Sequence, residues 1–69
     1  MDAIKKMKKR LSDELYEQGI LPVELAEMTG VTEDTVKRYL SPWLPGGKLE
    51  LWVKFSEALG YDGLGWMFV

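Results

Sequence analysis

Between residues 32 and 41 the chain reads "TEDTVKRYLS", and this stretch holds the side chains best suited to chemistry: Thr32, Glu33, Asp34, Thr35, Lys37, Arg38 and Ser41. Their chemistry is recognition. Thr35 can meet a thymine methyl or a base edge, and Arg38 can reach a guanine or a phosphate. A carboxylate such as Glu33 or Asp34 can accept from the amino group of cytosine, and Lys37 stands one helical turn along from Glu33. A second set, Lys5, Lys6, Lys8, Lys9 and Arg10, has the chemistry of phosphate contacts. Bond-making has no comparable support. Without Cys or His, the chain lacks the usual nucleophile, general base and metal ligand. "GLG" at 63 to 65 is a turn, since no strand precedes it. No enzyme, cofactor, metal or small-molecule substrate is expected.

The elements that must position these groups follow from periodicity. Ile4, Met7, Leu11 and Leu15 recur every three or four residues, predicting a first helix from about 2 to 18 that ends at Gly19. Pro22 suits the first position of a second helix, "PVELAEMT", which is expected to bury Val23, Leu25, Ala26 and Met28. Gly30 stops it. Thr32 caps a third helix with Val36, Tyr39 and Leu40 on its apolar face. "SPWLPGG" at 41 to 47 is a loop. A fourth helix runs from about Leu49 to Leu59 and ends at Gly60. Its apolar arc of Leu49, Leu51, Trp52, Val53, Phe55 and Leu59 leaves only Glu50, Lys54 and Glu57 wet, which is wider than one core contact requires. With no β pattern or repeat, the expected fold is all-α, one domain over 1–69: a basic first helix at 1–18, a helical pair at 22–41, the fourth helix at 48–60 and an apolar tail at 61–69.

Composition sets bounds. At 69 residues the chain is near the lower limit for a self-sufficient core, and its 46% hydrophobic content makes one feasible. No signal-like segment or apolar run of roughly 20 residues is present, so a cytoplasmic protein without a membrane partner is expected. Nine Lys and Arg face eleven Asp and Glu, a net charge of −2. A nucleic-acid binder of this size is usually basic, because counterion release supplies much of its affinity. The overall balance argues against DNA, and the local clusters, Lys5 to Arg10 and the Lys37-Arg38 pair, keep it open.

"LAEMTGVTEDTVKRYL" supplies the packing demands of two short helices joined through a glycine turn: small Ala26 at the crossing, Gly30 at the turn, and Leu25, Val31, Val36 and Tyr39 to lock the pair. Residues 19 to 61 resemble the lambda-repressor-like helix-turn-helix family of phage repressors, Cro proteins and their bacterial relatives. Ala26 falls on that family's small residue, Gly30 on its turn glycine, Val36 and Tyr39 on the apolar sites of its recognition helix, and "ALGY" at 58 to 61 on its closing motif. The resemblance implies a compact four- to five-helix DNA-binding domain with the helix-turn-helix at about 22–41. It also implies a phosphate-contacting first helix and a dimer on two-fold sites, in a bacterial or phage-infected cell. Two matching positions depart from the family. Leu21 and Pro22 stand where Ser-Gln commonly caps the second helix and holds a phosphate, and Glu33 and Asp34 stand where Gln, Ser, Arg or Lys are common.

Each feature also has a plainer meaning. Glu33 and Asp34 are first-turn carboxylates favoured by the helix dipole. The basic run is a solvated helix face in which Lys9–Asp13 and Arg10–Glu14 offset one another. The apolar residues of the fourth helix and tail (Leu51, Trp52, Phe55, Trp66 and Phe68) are core, or else a contact with a second copy or another protein. Two functions follow: a small transcriptional regulator binding operator DNA as a dimer, and an antirepressor or modulator of the same fold that binds another repressor protein. Glu33→Lys with Asp34→Lys separates them, since it should abolish binding to a partner protein.

Overall fold

A computed structural model describes residues 3–44 and 46–68. Residue 2 of the expected first helix, Pro45 of the loop and Val69 of the tail lie outside them. The described residues form four α-helices, α1 (Ala3–Gln18), α2 (Pro22–Thr29), α3 (Glu33–Leu40) and α4 (Leu49–Ala58), and a closing 3₁₀ turn (Gly65–Phe68). No strand occurs among them.

Chain stops fall where the backbone needs glycine. Gly19 (φ 68°) ends α1, and the Ile20 N–H bonds back to the Leu15 carbonyl at 2.9 Å. Gly30 (φ 75°) ends α2 in the same way through the Ala26 carbonyl. Pro22 opens α2, and the Glu24 carboxylate at N3 accepts from the Leu21 N–H at 2.8 Å, which is one half of a capping box; the Leu21 side chain has no acceptor for the other half. The α3 cap is Thr32, whose Oγ1 accepts from the Thr35 N–H at 3.2 Å.

The core gathers Met7, Leu11 and Leu15 of α1, Leu25 and Ala26 of α2, Val36 and Tyr39 of α3, Trp52 and Phe55 of α4, then Leu59 and Met67. Tyr39 is its hinge point. Its ring meets Trp52 and Phe55 edge-on at 5.0 and 5.1 Å, and its hydroxyl accepts from the Lys48 N–H at 2.6 Å. The Trp52 indole N–H donates to the Gly46 carbonyl at 2.8 Å, so the C-terminal end of the 41–48 loop is tied to the core at two points. Ser56, fully buried, accepts from the Trp66 indole and donates to the Gly63 carbonyl, which docks the tail.

Three expectations about burial are corrected. Val23 and Met28 are exposed (41% and 51%), because a helix of only eight residues turns one narrow stripe, Leu25, Ala26 and Thr29, toward the core. Leu49, assigned to the apolar arc of α4, is 68% exposed at its first turn. Trp52 and Phe55 are 2% and 0% exposed. They are core residues and cannot serve as a surface for a partner. The wide arc of α4 is filled from two directions, by Tyr39 on one side and the returning tail on the other.

Candidate nucleic-acid interface

Helix α3 turns Val36 and Tyr39 inward, which forces its remaining polar residues outward. Thr32, Glu33, Asp34, Lys37 and Arg38 are exposed, and Thr35 and Ser41 are half-buried. Two ion pairs cross this outer face: Lys37 Nζ to Glu33 Oε2 at 3.4 Å and Arg38 Nε to Asp34 Oδ2 at 3.9 Å. Each places the acid four residues N-terminal to the base, the orientation that the helix dipole favours. Such exposed pairs are worth only about 0.3–0.5 kcal/mol. A charge-assisted contact with a phosphate exceeds that, so these pairs leave Lys37 and Arg38 available to an incoming anion. The acidic tip is accounted for by the dipole and the Thr32 cap. It lowers the positive potential of the face without blocking it.

The basic run of α1 does not act as one cluster. Lys5, Lys6 and Lys9 are exposed. Lys5 and Lys9 adjoin the C-terminal end of α3, sharing a shallow groove with Leu40 and Pro42, while Lys9 also pairs with Asp13 at 3.1 Å. Lys8, expected to contact phosphate, is 1% exposed, and its ammonium donates to the Arg38 carbonyl at 2.8 Å. It satisfies a carbonyl that the end of α3 leaves unpaired and fixes α1 against α3. Burial pushes the Lys8 amine below its ordinary pKa.

Arg10 is the other departure. The expected Arg10–Glu14 offset is replaced by a cation–π contact, with the guanidinium carbon 5.5 Å from the Trp66 ring centre. Its Nε also points at the Trp66 carbonyl at 3.4 Å. Trp66 in turn stacks on Tyr61 at 4.3 Å. Glu14, beside Tyr61, holds that phenol above its ordinary pKa by accepting its proton in a hydrogen bond, with burial adding to the shift. Arg10 and Trp66 are thus joined to each other on the tail side of α1, and of the proposed interface residues only Phe68 is exposed, while Leu51 and Trp66 are half-buried.

Sequence reasoning passed over one neighbouring feature. Thr35 and Arg38 also help to line a groove of about 470 Å³, together with Tyr39, Leu44, Gly47, Lys48 and Leu51. The available signal was a tryptophan and a leucine set among prolines and glycines at 41–47, where a loop displays them instead of burying them.

No protein-family model, curated protein or solved structure matches this chain. Among the described residues no group of His, Cys, Asp or Glu has the arrangement of a metal site, and no helix is long and apolar enough to cross a membrane.

Proposed function

We propose that this chain is a small DNA-binding regulator of the lambda-repressor-like kind. In this reading α2 and α3 are a helix-turn-helix, α3 enters the major groove, and two copies act on a two-fold site. The observation that carries it is the outer face of α3. Lys37 and Arg38 stand free of the core, held only by weak ion pairs, beside a half-buried Thr35 whose hydroxyl bonds that of Thr32 at 2.9 Å, with Lys5 and Lys9 at the helix end. The Lys8 bond to the Arg38 carbonyl supports the reading further, because it would keep phosphate-facing α1 and base-facing α3 in a fixed register.

Lys37→Ala and Arg38→Ala test it. Both residues are exposed, so the fold should be retained. Each variant is expected to lose about tenfold in low-salt affinity for duplex DNA and to lower the salt slope by about 0.9. Fluorescence anisotropy reads both quantities. Unchanged binding in both variants would count heavily against docking through α3.

One observation favours a second reading. Both bases of α3 face an acid, and the chain is net negative, which suits a surface that binds a basic protein such as the DNA face of another repressor. Glu33→Lys with Asp34→Lys would then abolish partner binding. Full affinity in that variant would remove the mechanism.

A further inference from the structure

The groove between α3, the 41–48 loop and α4 joins apolar surface to positive charge. Tyr39, Leu44 and Leu51 supply the apolar surface, and the charged residues that line it, Arg38 and Lys48, are both cations. Neither is committed elsewhere. Lys48 forms no ion pair among the described residues, and Arg38 reaches Asp34 only at 3.9 Å, with both of those side chains largely in water. The walls are set before anything binds. Trp52 and Phe55 hold the Tyr39 ring edge-on, its hydroxyl takes the Lys48 N–H, and the Trp52 indole holds the Gly46 carbonyl next to Gly47. Trp43, beside Leu44 in the loop, is 84% exposed and does not line the groove. The volume of about 470 Å³ falls within the range of about 300–1,000 Å³ that small-molecule sites occupy.

We propose that this groove binds a small aromatic carboxylate, and that the bound anion competes with DNA for Arg38. The charges select the ligand. In a chain of net charge −2, the two charged residues of this groove are both positive, so a cation would be repelled. A neutral ring would leave both cations unanswered. An aromatic carboxylate satisfies each part: Tyr39, Leu44 and Leu51 take its ring out of water, and the guanidinium fork of Arg38 suits its two oxygens, with Lys48 as the second cation. The regulatory half rests on the DNA-binding reading. Arg38 belongs to the face of α3 assigned to DNA and also lines the groove. A carboxylate held there removes one cation from the phosphate-facing set, and by linkage the duplex weakens the carboxylate equally. The ligand is small and exchanges, so α3 is open to DNA whenever the groove is empty.

Heteronuclear NMR titration of the full chain with cinnamate, in the absence of DNA, tests the site. The expected result is saturable shifts at the Leu44, Gly47, Lys48 and Leu51 amides. Lys48→Gln should weaken cinnamate about threefold, the scale of one exposed ion pair, and Lys48→Arg should restore it. Cinnamyl alcohol, which forgoes both cations, should bind about tenfold more weakly than cinnamate. No saturable shift, shifts confined to another face, equal binding of the alcohol, or indifference to Lys48→Gln would each overturn the site. Anisotropy with duplex DNA at low salt then tests the competition, with acetate at equal concentration as the ionic-strength control. Saturating cinnamate should weaken duplex binding about tenfold beyond acetate, as the loss of Arg38 does. Cinnamate that fills the groove but displaces no more duplex than acetate would overturn the competition. A chain that binds no duplex at all would end the DNA-binding reading, while the titration without DNA would still decide the site.

Discussion

Gly47→Ala is expected to destabilise the fold by about 3 kcal/mol, the sum of two costs at one residue. Gly47 has φ 84°, a left-handed conformation that costs an L-residue about 1–2 kcal/mol. A Cβ there would also run into the Tyr39 ring at its hydroxyl end. That ring cannot retreat, because Trp52 and Phe55 hold it edge-on and the Lys48 N–H binds its hydroxyl. Forcing atoms into a packed core costs about 1–3 kcal/mol more. For a domain of this size each kcal/mol lowers the melting temperature by about 4–8 °C, so a fall of about 12–24 °C is expected by circular dichroism. Gly30→Ala is the control. Gly30 also has positive φ (75°), but nothing lies within 4 Å of a Cβ built on it, so only the conformational cost applies. If the two variants melt together, the Tyr39–Gly47 contact does not hold the loop to the core as described.

Removing the acidic tip should strengthen DNA binding. Glu33→Gln with Asp34→Asn brings the formal net charge from −2 to zero and releases Lys37 and Arg38 from their pairs. Because Lys37 and Arg38 already meet phosphate in this reading, the gain is the cost of breaking the two pairs, about 0.3–0.5 kcal/mol each, so random-duplex affinity rises about three- to fivefold with the salt slope little changed. The cost to stability is small, because exposed i,i+4 pairs contribute about 0.3–0.5 kcal/mol each and the Thr32 cap remains. An affinity that stays flat or falls in this variant would mean that α3 does not face phosphates.

Much of the helical framework was legible because its signals are local. The spacing of Met7, Leu11 and Leu15, the glycine stops at 19 and 30, Pro22 at the start of α2 and the Thr32 cap act within a turn or two of chain. The misread residues depend on contacts that no local pattern encodes. Lys8 is flanked by other basic residues and reads like them, yet the end of α3 comes down on it from 30 positions away. Arg10 was drawn to Trp66, 56 positions on, and not to Glu14, four positions on. The apolar surplus of α4 was real as composition. It misled as surface, because Tyr39, Met67 and the buried Ser56–Trp66 bond consume it. The surface that stays open, around Trp43 and Leu49, was hidden in a loop and a helix start where periodicity says little.

The measurement that bears most directly on the DNA-binding claim is an anisotropy titration of random duplex DNA with the unaltered chain, at low and at physiological salt. It requires no knowledge of an operator, since non-specific binding is electrostatic and falls steeply with salt. Clear binding at low salt that collapses as salt rises is the expected result, given the exposed Lys5, Lys6, Lys9, Lys37 and Arg38. No binding even at low salt would contradict it, and α3 would then be read as a surface for a basic protein partner.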